Sequence, residues 1–190
     1  MGATPEEKQL IQKARHGDVK AFESLIAVYD TRIMGLLMQM LGHREDARDA
    51  YQEVFMRVWT GIGRFREDAD FFTWVYRIAV NTAITLRKKR TRHRHSSLDQ
   101  MADNEETPAW HPVDTAPAPD RQLRGKLLGR EIEKSLDTLS LQQRAAFILR
   151  YYQEFKILEI AEIMGCSDGT VKNYLFRATR KLRRSLRAHR

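Results

Sequence analysis

Leu25, Ile26, Tyr29, Ile33, Leu36, Leu37, Met40 and Leu41 recur at steps of three and four residues, the period of a helix that buries one stripe and wets its other faces. The stripe predicts one helical run from a cap at Asp18 to Gly42, where the apolar rhythm stops. Ahead of it, Thr4, Pro5 and Glu7 read as the N-cap, first-turn proline and reciprocal carboxylate of a capping box, so a helix is expected to reach Gly17. Another should run from about Glu45 to Thr60, until Gly61 and Gly63 break it, and the charged segment "RFREDAD" reads as a loop. The cleanest pattern follows: Phe71, Trp74, Val75, Ile78, Ala79, Thr82, Ala83 and Leu86 fall on one helical face, with Thr73, Arg77, Asn81, Thr85 and Lys88 on the other. That helix runs into "RKKRTRHRH". No strand-like alternation of comparable length occurs, so the expected fold class is all-α.

From Ser97 to Asp120 the rhythm is lost: four of the five prolines and six acidic residues fall here, and neither Lys nor Arg does. Few contacts could offset the entropy of ordering such a segment, which predicts a flexible acidic linker, 97–120, between two small helical domains at 1–96 and 121–190. Beyond it Asp120 can cap a helix to Leu139, and Ser140 with Gln143 forms a second capping-box signature for a helix to about Gln153. Then comes "IAEIMGCSDGTVKNYLFRATRKL". Ile157, Ile160, Ala161 and Met164 make the buried face of a short helix, Gly165 permits the turn, and Ser167 caps a new helix with Val171, Tyr174 or Leu175, and Ala178 facing inward. Small Ala161 lets the two cross closely, as in a helix-turn-helix.

Charge sharpens this picture. The net charge of +8 points to a polyanionic partner, and its placement says more: Lys172 to Arg190 holds eight Lys or Arg and no acid. On the second helix of a helix-turn-helix, outward Lys172, Asn173 and Arg177 can reach base edges in a major groove about 12 Å wide. A solvated basic face on an ordinary helical hairpin is the plain alternative. Cys166 is the only cysteine, which excludes an internal disulfide framework and a paired-cysteine zinc site, suits a reducing cytosol, and reads as a small buried hydrophobe. The N-terminus lacks a signal-peptide pattern, Glu6 breaks the myristoylation pattern, and "IMGLLMQML" is far shorter than the roughly 20 residues a spanning helix needs, so a cytoplasmic protein without membrane insertion is expected.

Asp46, Asp49 and Glu53 form one acidic stripe on the helix that also carries Gln52, Phe55 and Trp59. Such a stripe can be solvated, dock a partner or hold a metal, but no histidine or further carboxylate stands at a spacing that would complete a coordination shell.

Nearly the whole chain resembles the bacterial sigma factors of the extracytoplasmic-function type, group IV of the sigma-70 family. "DARDAYQEVFMRVW" is similar to the helix by which such factors grip the polymerase clamp helices. "FFTWVYRIAVNTAITLRKKR" resembles the promoter −10 reader. "LSLQQRAAFILRYYQEFKILEIAEIMGCSDGTVKNYLFRATRKLR" resembles the −35 reader, with its Glu-Ile-Ala, Gly-x-Ser and Gly-Thr-Val core. Arg48, Ala50 and Tyr51 depart from the usual acid and apolar pair of the first motif.

The resemblance implies a sigma region 2-like bundle and a region 4-like helix-turn-helix. Asp46, Asp49, Gln52, Glu53 and Phe55 would contact the beta-prime clamp helices of RNA polymerase core, whose beta flap would take the second domain. Arg64, Phe65, Phe71, Arg77, Asn81, Lys88 and Arg90 would hold the −10 segment, and Ser167, Thr170, Lys172, Asn173, Arg177 and Lys181 the −35 element. Trp74, on the apolar face, is expected to pack rather than read DNA. An anti-sigma factor is the further partner implied; no catalytic residue, cofactor or metal is. Two other classes compete. A stand-alone helix-turn-helix regulator would need a dimer interface, for which no heptad or spare apolar face is evident. A metal-dependent nucleic-acid enzyme would draw on Asp46, Asp49 and Glu53.

Overall fold

The computed structural model describes residues 4–65, 70–97 and 135–188. The expected linker beyond Ser97, most of the helix expected after Asp120, and part of the "RFREDAD" loop lie outside the described residues. Within them every regular element is helical.

Helix α1 (Pro5–Arg15) starts where Thr4 Oγ1 accepts the Glu7 amide at 3.2 Å. The Glu7 carboxylate, expected to close the capping box, instead accepts the hydroxyl of Tyr29. Asp18 caps α2 (Val19–Ala27), its carboxylate accepting the Ala21 amide at 3.0 Å. The single helix expected between Asp18 and Gly42 is two helices, with α3 (Asp30–Leu41) following a break at Val28 and Tyr29. There the Tyr29 amide donates to the Ile26 carbonyl at 2.8 Å, tightening the turn. The Tyr29 ring is 6% exposed and meets Phe71 and Phe72 at centroid distances of 5.9 and 5.5 Å, so burial and the Glu7 bond anchor the corner. Burial first and the Glu7 carboxylate second push its phenol well above the ordinary value.

Gly42 ends α3 at φ +77°, a left-handed backbone that would strain most other residues. Helix α4 (Arg44–Gly61), a 3-10 turn at Ile62–Arg64 and the long α5 (Phe71–Ser97) follow. Ile33, Leu36, Leu37, Val54, Val58, Val75 and Ala79 are all 0% exposed and lock α3, α4 and α5 together. Ala47 and Ala50, also fully buried, keep that packing close.

In the C-terminal half a helical stretch at 135–137 leads to α6 (Leu141–Tyr151). Its capping box is complete: Ser140 Oγ accepts the Gln143 amide and Gln143 Oε1 the Ser140 amide, each at 3.3 Å. Helix α7 (Ile157–Met164) turns at Gly165, φ +63°, into α8 (Asp168–Ala188), where Ser167 Oγ accepts the Thr170 amide at 3.2 Å. The short helix buries Ile160 and Ile163 completely, while Ile157, Ala161 and Met164 are only partly covered, a shift of its buried face by part of a turn from the expected one. Leu136, Leu139, Ala178 and Leu182, with Phe147 against them, form a small core belonging to this half alone.

The halves are not separate bodies. Ala145, Ile148, Leu149, Phe155, Ile160, Ile163 and Val171 belong to the same buried cluster as the α3–α5 core. Phe155 stacks on Phe72 at 5.3 Å and meets Tyr76 edge-on at 4.8 Å, and Tyr76 Oη donates to Gln153 Oε1 at 2.9 Å. Burial pushes the Tyr76 phenol up to about 12, so it stays a neutral donor at any ordinary pH.

Polar bonds fix the same seam. Arg144, 3% exposed, donates from Nε and Nη2 to the Gln39 carbonyl at 2.9 and 2.6 Å and from Nη1 to Asp137 Oδ1 at 2.6 Å. Arg87 donates to the Met40 carbonyl at 2.6 Å and to the same Asp137 oxygen at 2.7 Å. Two cations thus cap the carbonyl end of α3 and share one carboxylate.

Leu36→Ala should cost about 2–5 kcal/mol in urea unfolding, because it leaves a cavity where three helices meet. Val19→Ala, at an exposed helix start, should stay within about 0.5 kcal/mol of the parent chain.

Candidate functional site

Three surfaces collect the residues that the sequence singles out. On α8, Lys172, Asn173, Arg177 and Lys181 are exposed, while Val171 and Ala178 are 0% exposed and face inward. Lys172 pairs with Asp168 one turn back at 3.0 Å, an exposed pair of small energetic weight. The Lys172 hydrogen bond and the Gly169 amide hold the Asp168 carboxyl below its usual range. Ser167 and Thr170 bond each other at 2.9 Å as well as capping the helix, so their hydroxyls are engaged locally. Lys181 reaches back to the Thr138 carbonyl at 3.2 Å. A cleft of about 360 Å³ is lined by Gln143, Arg177, Arg180, Lys181 and Arg184. Arg180 and Arg184 were not among the expected readers, although 177, 180, 181 and 184 follow the spacing of a single helix face.

On α5, Arg77, Asn81, Thr85 and Lys88 are exposed as expected. Thr73, placed on that polar face by its spacing, is buried at 9% exposure. Phe65 and Phe71 need a larger correction: at 5% and 1% exposed they are core residues and cannot touch DNA in this conformation. They pack edge-to-face at 5.2 Å, and Trp74 lies 5.1 Å from Phe65 and 5.6 Å from Phe71. Trp74 also lies over Gly61, its ring edge 3.1 Å from where a Cβ would stand, which explains the glycine and agrees with a packing role. Arg64 is exposed. The side chains of the basic run after Arg90 lie outside the described residues.

On α4, Asp49, Gln52 and Glu53 are exposed; Glu53 pairs with Arg57 at 2.6 Å. Asp46 and Arg90, assigned by the resemblance to different partners, form an ion pair with each other. Phe55 is half-buried, edge-on to Tyr51 at 4.5 Å. Met56, one turn beyond Gln52, is 61% exposed and adds an apolar contact to the acidic face that charge patterning alone does not reveal. Among the described residues no group of three or more His, Cys, Asp or Glu could hold a metal ion, and no helix is long and apolar enough to cross a membrane.

The arrangement therefore offers an exposed basic face on α8, a second polar and basic face on α5, and an acidic face with an apolar residue on α4. The chain matches the family model described as sigma-70 region 2 over residues 25–93 and that described as sigma-70, region 4 over residues 129–182. It is 30% identical to the RNA polymerase sigma-H factor of Pseudomonas aeruginosa over 95% of this chain and 94% of that one. It is 31% identical to the ECF RNA polymerase sigma-E factor of Haemophilus influenzae over 90% of each. Among solved structures it resembles the sigma factor RpoE of Bartonella quintana, crystallised with the anti-sigma factor NepR, with a TM-score of 0.69 and 26% identity over 90% of this chain and all of that one.

Cys166 is half-buried in the turn, and burial pushes its thiol up. Less thiolate at neutral pH should make alkylation by iodoacetamide slower than that of an unstructured cysteine peptide. The rate should climb with a midpoint above the free-thiol value of about 8.5; a midpoint at or below it would contradict the burial.

Proposed function

The chain belongs to the RNA polymerase sigma factors of the sigma-70 family, in the ECF type, and on that premise we propose that it binds polymerase core, reads the −10 and −35 elements of a promoter and assists strand opening. The observation that carries this reading is the basic recognition helix: Lys172, Asn173 and Arg177 exposed on α8 beside a cleft with four cations, in the half that matches region 4. Asn173 has the chemistry to take an adenine edge and Arg177 a guanine edge, while Arg180, Lys181 and Arg184 are suited to phosphates. Ser167 and Thr170, held in the cap, position the helix.

In the N-terminal half Arg64, Arg77, Asn81 and Lys88 remain as the −10 set. Unpaired bases need hydrogen bonds and contact surface in exchange for lost stacking, and Asn81 with Arg77 offers the polar part. Asp49, Gln52, Glu53 and Met56 form the docking face for the beta-prime clamp helices, where complementary charge sets orientation and encounter rate; the beta flap takes the C-terminal half. Core polymerase holding both halves makes the second DNA contact intramolecular, so two weak readers select one promoter. A protein inhibitor of the anti-sigma kind is the third partner, in line with the complex in which the Bartonella quintana relative was crystallised.

Transcription with purified core enzyme tests this reading: start sites should become specific only when the chain is added, and unchanged transcripts would refute it. Asn173→Ala and Arg177→Ala should each lower use of the −35 element about 5- to 100-fold while leaving core binding intact. An equal loss on every DNA sequence would make Arg177 a phosphate contact. Asp49→Lys should do the reverse, weakening core binding in a co-sedimentation assay while the −35 preference persists.

A further inference from the structure

Four cations crowd one face of α8. Arg177, Arg180, Lys181 and Arg184 stand at i, i+3, i+4 and i+7, all exposed, along about 10 Å of helix axis. Like charges at these steps repel one another, and from Gly169 to Arg190 the chain holds no acid to compensate them. Among the described residues none of the three arginines makes an ion pair or hydrogen bond, and Lys181 donates only to the neutral Thr138 carbonyl. The four line a cleft of about 360 Å³ together with Gln143 of α6. Gln143, 8% exposed, sits in the first turn of that helix, at the positive end of its dipole. The Ser140 amide holds its Oε1 at 3.3 Å, which leaves the NH2 end for the cleft, without an acceptor among the described residues. A donor held there by a largely buried side chain is set for a lone pair from whatever occupies the cleft.

We propose that the α6–α8 cleft binds a short chain of linked phosphates, free in solution, and that this occupant withdraws Arg177 from base reading. An anion satisfies every wall, with charge for the cations and an acceptor for the Gln143 amide. The duplex does not bring that anion to all of them. With the N-terminal end of α8 in the major groove, Arg180 and Arg184 lie about 10 and 16 Å behind Asn173 along the axis, past a groove about 8.5 Å deep. A single orthophosphate is too small to meet cations strung over about 10 Å, whereas linked phosphates meet them in turn. No aromatic side chain lines the cleft, so nothing there stacks a base, and inorganic polyphosphate or the tail of a nucleoside polyphosphate presents the same chemistry. Arg177 belongs to the cleft and also to the base-reading face, so the occupant and −35 DNA lower each other's affinity by the same factor. That competition rests on the −35 reading above; the site itself does not.

Titration calorimetry of the full-length chain with tripolyphosphate should give one saturable site, bound at least about tenfold more tightly than orthophosphate. Tripolyphosphate bound more tightly than a nucleoside triphosphate points to the inorganic chain, and equal binding to the phosphate tail of either. A nucleoside triphosphate bound about tenfold more tightly would mean base recognition and overturn the assignment. Gln143→Glu keeps the capping acceptor for the Ser140 amide but puts a negative charge where the amide donor stood. It should lower tripolyphosphate affinity about tenfold or more, with helicity by circular dichroism and sequence preference for a −35 duplex unchanged. Tripolyphosphate should displace a labelled −35 duplex from the parent chain at concentrations that leave the Gln143→Glu complex intact, ionic strength being matched with sodium chloride. No saturable binding, equal affinity in the variant, or equal displacement from both would each overturn the proposal. So would a loss of duplex affinity in Gln143→Glu as large as its loss of tripolyphosphate, which would make the cleft a seat for the DNA backbone. A chain that prefers no −35 sequence would sink the promoter reading instead; the tripolyphosphate titrations would still decide the site.

Discussion

Arg144 is a charge that neither half could bury alone. Removing a guanidinium from water costs several kcal/mol unless hydrogen bonds replace its hydration. Here the replacement comes from both halves, as the carbonyl of Gln39, across the seam, takes two of its donors and Asp137, in its own half, a third. The last carbonyls of a helix lack partners and carry about half a negative charge, so the end of α3 needs donors as much as Arg144 needs acceptors. Arg87 serves the neighbouring Met40 carbonyl from α5 and ties the arrangement to the long helix. Apolar contact between the halves would tolerate sliding; a planar fork on a single carbonyl does not, and it sets how the halves meet.

The aromatic contacts supply area beside this polar anchor. Phe155 covers Phe72 and Tyr76, and the neutral Tyr76 hydroxyl finds Gln153 rather than being left dry. Partial burial alone would raise the Asp137 carboxyl, but the Arg87 hydrogen bond and the Arg144 charge outweigh it and hold it below the usual carboxylate range. A depressed carboxyl contributes fully above its ordinary value of about 4 and loses that contribution as pH falls through the lowered one. The bonds from Arg87 and Arg144 to Asp137 are therefore complete at neutral pH.

Much of this was legible in local chemistry. Thr4, Asp18, Ser140 and Ser167 cap helices because a cap is an interaction over three residues, and Gly42 and Gly165 take the left-handed turns because the apolar rhythm stops beside them. The break at Tyr29 was hidden because the apolar stripe passes through it in phase; only the distant rings of Phe71 and Phe72 and the Glu7 carboxylate show why the chain bends there. Phe65 and Phe71 flank a charged loop, so their burial depended on partners far along the chain. Nothing in the residue pattern marks Arg87 and Arg144, because besides Asp137 their acceptors are main-chain carbonyls of a distant helix end. The Asp46–Arg90 pair escaped for a related reason, as each residue lies on a face that also suits a separate partner.

The seam places a condition on whatever separates the halves. Phe72 and Phe155 cover each other across it, and Tyr76, which is 0% exposed, lies under Phe155. Parting them wets these rings together with the end of α3, and each buried aromatic brought into water costs roughly 1.5–3 kcal/mol. Such a loss exceeds what an exposed ion pair on the acidic face of α4 can return, since those are typically worth under about 1 kcal/mol. Exposed charge such as that of Asp49 and Glu53 therefore cannot by itself hold the halves apart. A partner that does so has to offer apolar contact as well, to Met56 on α4 or to the uncovered rings, and must give the last carbonyls of α3 new donors or leave them in water.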